Sequence, residues 1–264
     1  MKHLANGSPV VSSNTSSRLP RATCEERELT ATEEQIIGDL REQCERRFDQ
    51  SVFFEHLAAG AVTGEALAYI FGQYGHFRIQ LHRWFAVCML LAKDASQPAQ
   101  RQSIMALADH IFTDLRDDHD VLFAECLQCF GLPTGILYAG SPSPATQTYI
   151  ESFMDDSRAP ATTWREATAA LAGRELSVAL RNQRLIRSYF TPRGQAAPIW
   201  ITLHSELEVD HSLDALRPIL AERAPGAASL EAVHFAVGRA FGRHAEYLDT
   251  LLEEYVQRPR APTS

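Results

Sequence analysis

No stretch of the chain approaches the run of about 18 uninterrupted apolar residues that a membrane-spanning helix requires. The opening stretch "MKHLANGSPVVSSNTSSRLPRATC" lacks the apolar core of a secretion signal. Cysteine is sparse: Cys24, Cys44, Cys88, Cys126 and Cys129 are five in number and scattered, which argues against a secreted disulfide framework. Together these absences predict a cytoplasmic protein with no membrane partner. Positive charge is also short, with 25 Lys and Arg against 33 Asp and Glu and a formal net charge of −8. A nucleic-acid-binding surface needs a basic face, so nucleic acid is excluded as an expected partner. Alternating apolar and polar residues, the mark of half-buried strands, do not occur convincingly, and no HExxH zinc-protease motif is present. The lone pair "CLQC", Cys126 to Cys129, has no second pair to complete a zinc site and reads as core packing.

What the chain does have is core material: 264 residues, 45% hydrophobic and 22% charged. Residues 1–30, rich in Ser, Thr, Asn, Gly and Pro, read as a disordered leader, and residues 258–264 as a flexible tail. Residues 31–257 read as one domain, helical nearly throughout. Long helices are expected over "GEALAYIFGQYGHFRIQLHRWFAVCMLLAKD", from Ala99 to Phe130, over "PATTWREATAALAGRELSVALRNQRLIRSYF" with Pro160 in its first turn, from Pro198 to Arg223, and over "LEAVHFAVGRAFGRHAEYLDTLLEEYV". Elements of this length and number make an all-α bundle of about seven helices.

The stretch "IWITLHSELEVDHSLDAL" carries the strongest chemical signal. On a regular helix Glu208 lies about 40° and His211 about −20° from His204, so all three share one stripe of a largely apolar segment. Two imidazoles and a carboxylate in that setting could be a metal-binding edge or a hydrogen-bonded polar cluster. Burial without partners would cost a few kcal/mol for each group, and one cation would satisfy all three. Imidazole and carboxylate donors suit iron or manganese, whereas structural zinc favours thiolates. Glu175 in "AALAGRELSVAL" is a second acid among small and aliphatic residues; it could instead pair with Arg174. A third region, "ALADHIFTDLRDDHDVLF", is acidic enough to be ambiguous. Asp114 and His119 lie about 140° apart on a regular helix and converge only if it bulges or breaks, whereas His110, Asp114 and Asp117 share a stripe.

In that order, after "QYGHFRIQLHRWFAV", the segments "DLRDDHDVLF", "GRELSVAL" and "WITLHSELEVDHSLDAL" resemble the haem-oxygenase-like di-iron oxidases. Their superfamily shares its seven-helix bundle with thiaminase-type and pyrroloquinoline-quinone-synthase-type proteins. The resemblance covers roughly residues 35–255 and implies a haem-oxygenase-like fold. It implies two Fe(2+) per chain, with O2 as co-substrate. Matched by motif, a first iron would take Asp114, His119 and Glu175, and a second Glu175, His204, Glu208 and His211. Glu175 and Glu208 would be the carboxylates that take part in the chemistry. The chain departs from the pattern in having Asp114 where Glu is commoner and a four-residue spacer before His119, which leaves His110 and Asp117 as substitutes.

The implied activity is O2-dependent oxidation of a small metabolite in a biosynthetic pathway: desaturation, C–H functionalisation or cyclisation, or C–C cleavage. An amino acid or derivative is the favoured substrate. His76 and Arg83, seven residues apart, would share a helical face and hold its carboxylate; the plainer reading is a core-edge His and an outward Arg. Alternatives with the same iron pair are N-oxygenation and oxidative decarboxylation of a fatty acid. An alternative of another class is a metal-free bundle that binds a small ligand. A thiaminase-type reaction would need a nucleophilic Cys beside a carboxylate, and no Cys here has an obvious one. A homodimer is compatible with the sequence.

Overall fold

Small residues set the geometry of the bundle. In the computed structural model, which describes residues 30–116, 119–133, 140–159, 162–221 and 227–258, an Ala-rich helix, Trp164–Leu185, is buried along nearly its whole length. The leader up to residue 29 and the tail from 259 lie outside the described residues, as does Pro160. The described residues form eleven α-helices and no strand. They are α1 (Ala31–Asp49), α2 (Val52–Ala58), α3 (Gly64–Arg78), α4 (Leu81–Leu91), α5 (Pro98–Arg116) and α6 (His119–Cys129). After these come α7 (Pro144–Arg158), α8 (Trp164–Leu185), α9 (Ile199–Leu203), α10 (Leu207–Leu220) and α11 (Ala227–Gln257). The all-α expectation is borne out, and the higher count arises because two rods expected to be continuous are broken and a third is described in two segments on either side of residues 117–118. Among the described residues no helix is long and apolar enough to cross a membrane.

Helix α8 is the centre of the bundle and packs against α1, α4, α9, α10 and α11. It begins at a capping box, not at a proline: Thr163 Oγ1 accepts from Glu166 N at 3.3 Å while Glu166 Oε2 accepts from Thr163 N at 2.8 Å. Gly173 lets α11 approach closely, since a Cβ there would lie 2.9 Å from the Val237 carbonyl oxygen. Beyond Leu185 the chain widens into a π-helical turn, Ile186–Phe190, tightens into a 3-10 turn, and stops at Gly194 with φ 63°. Ser51 caps α2 and donates to Asp249 of α11 at 2.6 Å, tying the first helices to the last.

Both breaks have visible causes, and neither involves glycine or proline. Between α3 and α4, Gln80 N bonds Phe77 O and Arg83 N bonds Gln80 O, a tightening to three-residue spacing that turns the chain. Between α9 and α10, Ser205 N bonds Thr202 O and Glu206 N bonds Leu203 O. Here side-chain hydroxyls compete with the helical ladder: Thr202 Oγ1 donates to Ile199 O at 3.0 Å and Ser205 Oγ to Thr202 O at 2.7 Å. The Ser205 carbonyl then accepts from Gln183 Nε2 of α8 at 2.8 Å. Helices α5 and α6 are described on either side of residues 117–118, so Asp117 lies outside the described residues.

Candidate metal centre

Four helices and one helix end carry seven nitrogen- or oxygen-bearing side chains, the candidate ligands, into one largely buried region. His110 and Asp114 come from α5, His119 from the first position of α6, Glu175 from α8, His204 from the end of α9, and Glu208 and His211 from α10. His110, His119, Glu175, His204 and Glu208 are buried, and Asp114 and His211 are largely so.

The ligands fall into two groups. In one, a donor atom from each of His110, Glu208 and His211 lies within 4.8 Å of the other two. His211 Nδ1 donates to Glu208 Oε2 at 2.9 Å, and the rings of His110 and His211 are 3.6 Å apart. In the other, Asp114 Oδ1 is 2.7 Å from His119 Nδ1, and the His119 and His204 rings are 5.0 Å apart. Asp114 also lies 3.9 Å from His110 Nε2 and so stands between the groups. Asp114 and His119, five residues apart on either side of residues outside the described set, stand against each other.

This differs from the ligand partition that the sequence motif implies. His204 does not continue the stripe of Glu208 and His211, because the tightened turn at residues 204–206 rotates it away and seats it beside His119. His110 takes the place beside Glu208 and His211 instead. Glu175 Oε2 accepts from Arg174 Nη1 at 2.6 Å and keeps a second lone pair, and Oε1 makes no hydrogen bond to the protein. The pairing of Glu175 with Arg174 that the sequence left open is thus present, and the second oxygen still faces the site.

The electrostatics are those of a polar centre held out of water. Burial, only partly offset by Arg174 and reinforced by the Glu208 charge, lifts the Glu175 carboxyl to about 7. Burial alone would also push Glu208 up, but the His211 bond and charge outweigh it and hold Glu208 below the usual carboxylate range. In the same way burial opposes charge on His211, yet the bond to Glu208 and the nearby carboxylates raise it to about 9. Burial and the neighbouring His211 lower His110 to about 4, and burial lowers His204 to about 3 against a bond to the Trp200 carbonyl. Asp114 is depressed, since His119, His110 and Arg78 outweigh its burial.

The donor set fits a metal. His119 Nδ1 and Glu175 Oε1 are buried without a hydrogen-bond partner. For His119 the contact that remains is an ion pair with Asp114 Oδ1 at 2.7 Å, which helps hold the Asp114 carboxyl down. His204 Nδ1 lies 2.8 Å from the Trp200 carbonyl, which only an N–H can satisfy, so its Nε2 keeps the lone pair a cation needs. With no thiolate among them, these donors match iron or manganese better than structural zinc.

His76 and Arg83 are not brought together. Helix α3 ends at Arg78, so their seven-residue spacing does not give one helical face. His76 is buried, and burial lowers its pKa. Arg83 is exposed on α4 and donates to Gln80 Oε1 at 2.6 Å, so the common helical face expected to hold a carboxylate is not formed. Residue patterns also gave no prominence to Arg78, which pairs with Asp120 and lies over the Phe123 ring beside Asp114. Arg181 is a second omission; a guanidinium inside a buried run is the signal that marks it.

No family model and no curated protein matches the sequence. Solved structures match its shape. A domain of unknown function with a heme oxygenase-like fold from Shewanella denitrificans OS217 matches with a TM-score of 0.68 at 15% identity, covering 87% of this chain and 95% of that one. A CADD-like protein of unknown function from Nostoc punctiforme PCC 73102 gives 0.64 at 14% identity, over 85% and 99%. A TenA homolog from Pseudomonas syringae pv. tomato str. DC3000 gives 0.59 at 15% identity, over 85% and 92%. Identities this low speak to architecture alone, and on that ground the chain has the haem-oxygenase-like fold.

Proposed function

We propose that this protein is a non-haem di-iron oxidoreductase that uses O2 to oxidise a small metabolite, an amino acid or a related acid. The observation that carries the reading is a buried set of N and O donors without thiolate, in which His110, Glu208 and His211 place donor atoms within 4.8 Å of one another and Asp114, paired with His119 at 2.7 Å, lies 3.9 Å from His110. One iron would be held by Asp114, His119 and His204, and the other by His110, Glu208 and His211, with Glu175 Oε1 open to either. When bound, a pair of ferrous ions supplies the redox chemistry that dioxygen activation needs.

The remaining work falls to the chain. The Trp200 carbonyl fixes the tautomer of His204, and Glu208 orients His211 through Nδ1. Arg174 offsets the charge of Glu175, which would otherwise stay protonated in this setting. Phe71, Phe123 and Trp200 form an aromatic wall, with Phe123 and Trp200 rings 4.8 Å apart, that excludes water from reactive species. A thiaminase-type reaction is disfavoured at Cys44, Cys88 and Cys126, which are buried and whose thiols burial drives up, away from the reactive thiolate; Cys129 is exposed at the end of α6.

Anaerobic titration with ferrous iron tests the proposal. Two irons bound per chain, followed by a transient coloured species on admission of oxygen, is the expected result. No iron and a flat spectrum would leave a metal-free ligand-binding bundle.

A further inference from the structure

A second polar cluster lies deeper along α8, one face of the helix beyond the metal ligands. Arg174 and Arg181 are seven residues apart and so share a stripe. Both are essentially out of contact with solvent. Arg174 has a carboxylate partner in Glu175 and donates through Nη2 to the Tyr74 hydroxyl at 2.6 Å. Arg181 has none among the described residues: Nε and Nη2 both donate to Asn182 Oδ1, at 3.1 and 3.0 Å. Its guanidinium otherwise faces rings, 4.5 Å from the Tyr74 centroid, 5.2 Å from Phe71 and 5.7 Å from Trp200.

The hydrogen-bond census around the same rings is lopsided in the same direction. Trp200 Nε1, Arg174 Nε and Asn182 Nδ2 are buried donors without acceptors. His244 bonds the Tyr149 hydroxyl through Nδ1 at 2.8 Å, and its buried Nε2 has no partner. Burial and the two arginines keep that imidazole neutral. The cluster therefore carries one positive charge more than its carboxylates offset and several donors in excess of its acceptors. A buried cation without a counter-ion is costly, and one anionic acceptor would relieve both imbalances.

We propose that Arg181, with the donors grouped around Tyr74, is the anchor for the carboxylate of the substrate. This deepens the oxidoreductase reading and rests on it for the role of the bound acid as substrate. The rise along α8 from Glu175 to Arg181 is about 9 Å. Arg181 also lies about 120° around the helix from Glu175, so the anchor and the candidate ligands face different sides of α8, and the probes of the test span short-chain acids and an α-amino acid. Arginine suits the task because its planar fork grips both carboxylate oxygens.

The test compares acids with their amides. Calorimetry on the iron-loaded protein, kept anaerobic, measures binding of the series propanoate to hexanoate and of L-leucine, each against its primary amide. At least one acid is expected to bind roughly tenfold or more tighter than its amide. In Arg181→Met that preference disappears, while Arg181→Lys, which keeps the charge and loses the fork, retains part of it. Arg83→Met, an exposed control, leaves it unchanged. No acid preferred over its amide in the unaltered protein overturns the anchor. So does a preference that survives in Arg181→Met, which would assign the carboxylate to the metal or to Arg174. Iron content measured on the same samples separates the two claims: acid preference without iron sinks the di-iron reading and keeps the anion site, and two irons without acid preference does the reverse.

Discussion

Replacing Glu208 by Gln probes the centre with the least change of shape. Glu208 is buried and accepts from His211 Nδ1 at 2.9 Å. His211 is raised from 6.5 to about 9, chiefly by Glu208 once burial has been overcome. At about 1.4 kcal/mol for each tenfold change, that interaction is worth about 3 kcal/mol to the metal-free fold. Breaking a buried charge pair by removing one partner costs about 3–5 kcal/mol, which agrees. Relief of the like charge on Glu175 offsets a little of the loss. The sign of the pH dependence follows from the raised value: the stabilisation is complete below about pH 6.5 and is lost as pH climbs through about 9. Urea unfolding of metal-free protein at pH 6.5 should therefore show Glu208→Gln weaker by about 3 kcal/mol, with the gap narrowing by pH 9. Iron content should fall from two to one per chain, because an amide is a poor ligand in place of a carboxylate. Equal stability at pH 6.5, or two irons retained, would refute the assignment of Glu208 as both His211 partner and ligand.

Other expectations follow from the same geometry. His110, His204 and His244 are neutral when folded, the first two near 4 and 3, whereas Glu175 near 7 takes up a proton early and opposes them. Depressed histidines leave the unfolded chain with more protons below pH 6.5, so metal-free protein should lose about 2–3 kcal/mol per pH unit between pH 6 and 5, measurable by urea titration. Gly173→Ala would force α8 and α11 apart, with a Cβ 2.9 Å from backbone, and should lower stability by about 1–3 kcal/mol in thermal or denaturant unfolding. His204→Ala should remove the iron beside Asp114 and His119 and leave the one beside Glu208 and His211; metal analysis giving two irons would assign His204 a structural role only.

Helical class and a buried α8 are legible in the sequence because they follow from periodicity and from a run of Ala, Gly and aliphatic residues. The chemistry at Glu175, Glu208 and His211 is legible for a similar reason, since acids and imidazoles inside apolar helices need partners. Breaks made without glycine or proline are not. Thr202 and Ser205 have ordinary helix-compatible identities, and only their hydroxyl bonds to the preceding turn show that the rod stops there. That one turn moves His204 from the group of Glu208 to that of His119. His110 takes up the vacated place, and its stripe with Asp114 on α5 was the visible hint. The turn at Ile79–Gln80 likewise separates His76 from Arg83, which a continuous helix would have aligned. Arg181 sits within a buried run of α8, the one local sign that its guanidinium stays inside; an arginine in such a helix is otherwise read as snorkelling to the surface.

Diffraction at the iron absorption edge from crystals loaded anaerobically with ferrous iron tests the central claim most directly. Two anomalous peaks per chain are predicted, one within coordination distance of Asp114, His119 and His204 and one of His110, Glu208 and His211. A centre without anomalous density, or iron bound only at other residues, would contradict the account.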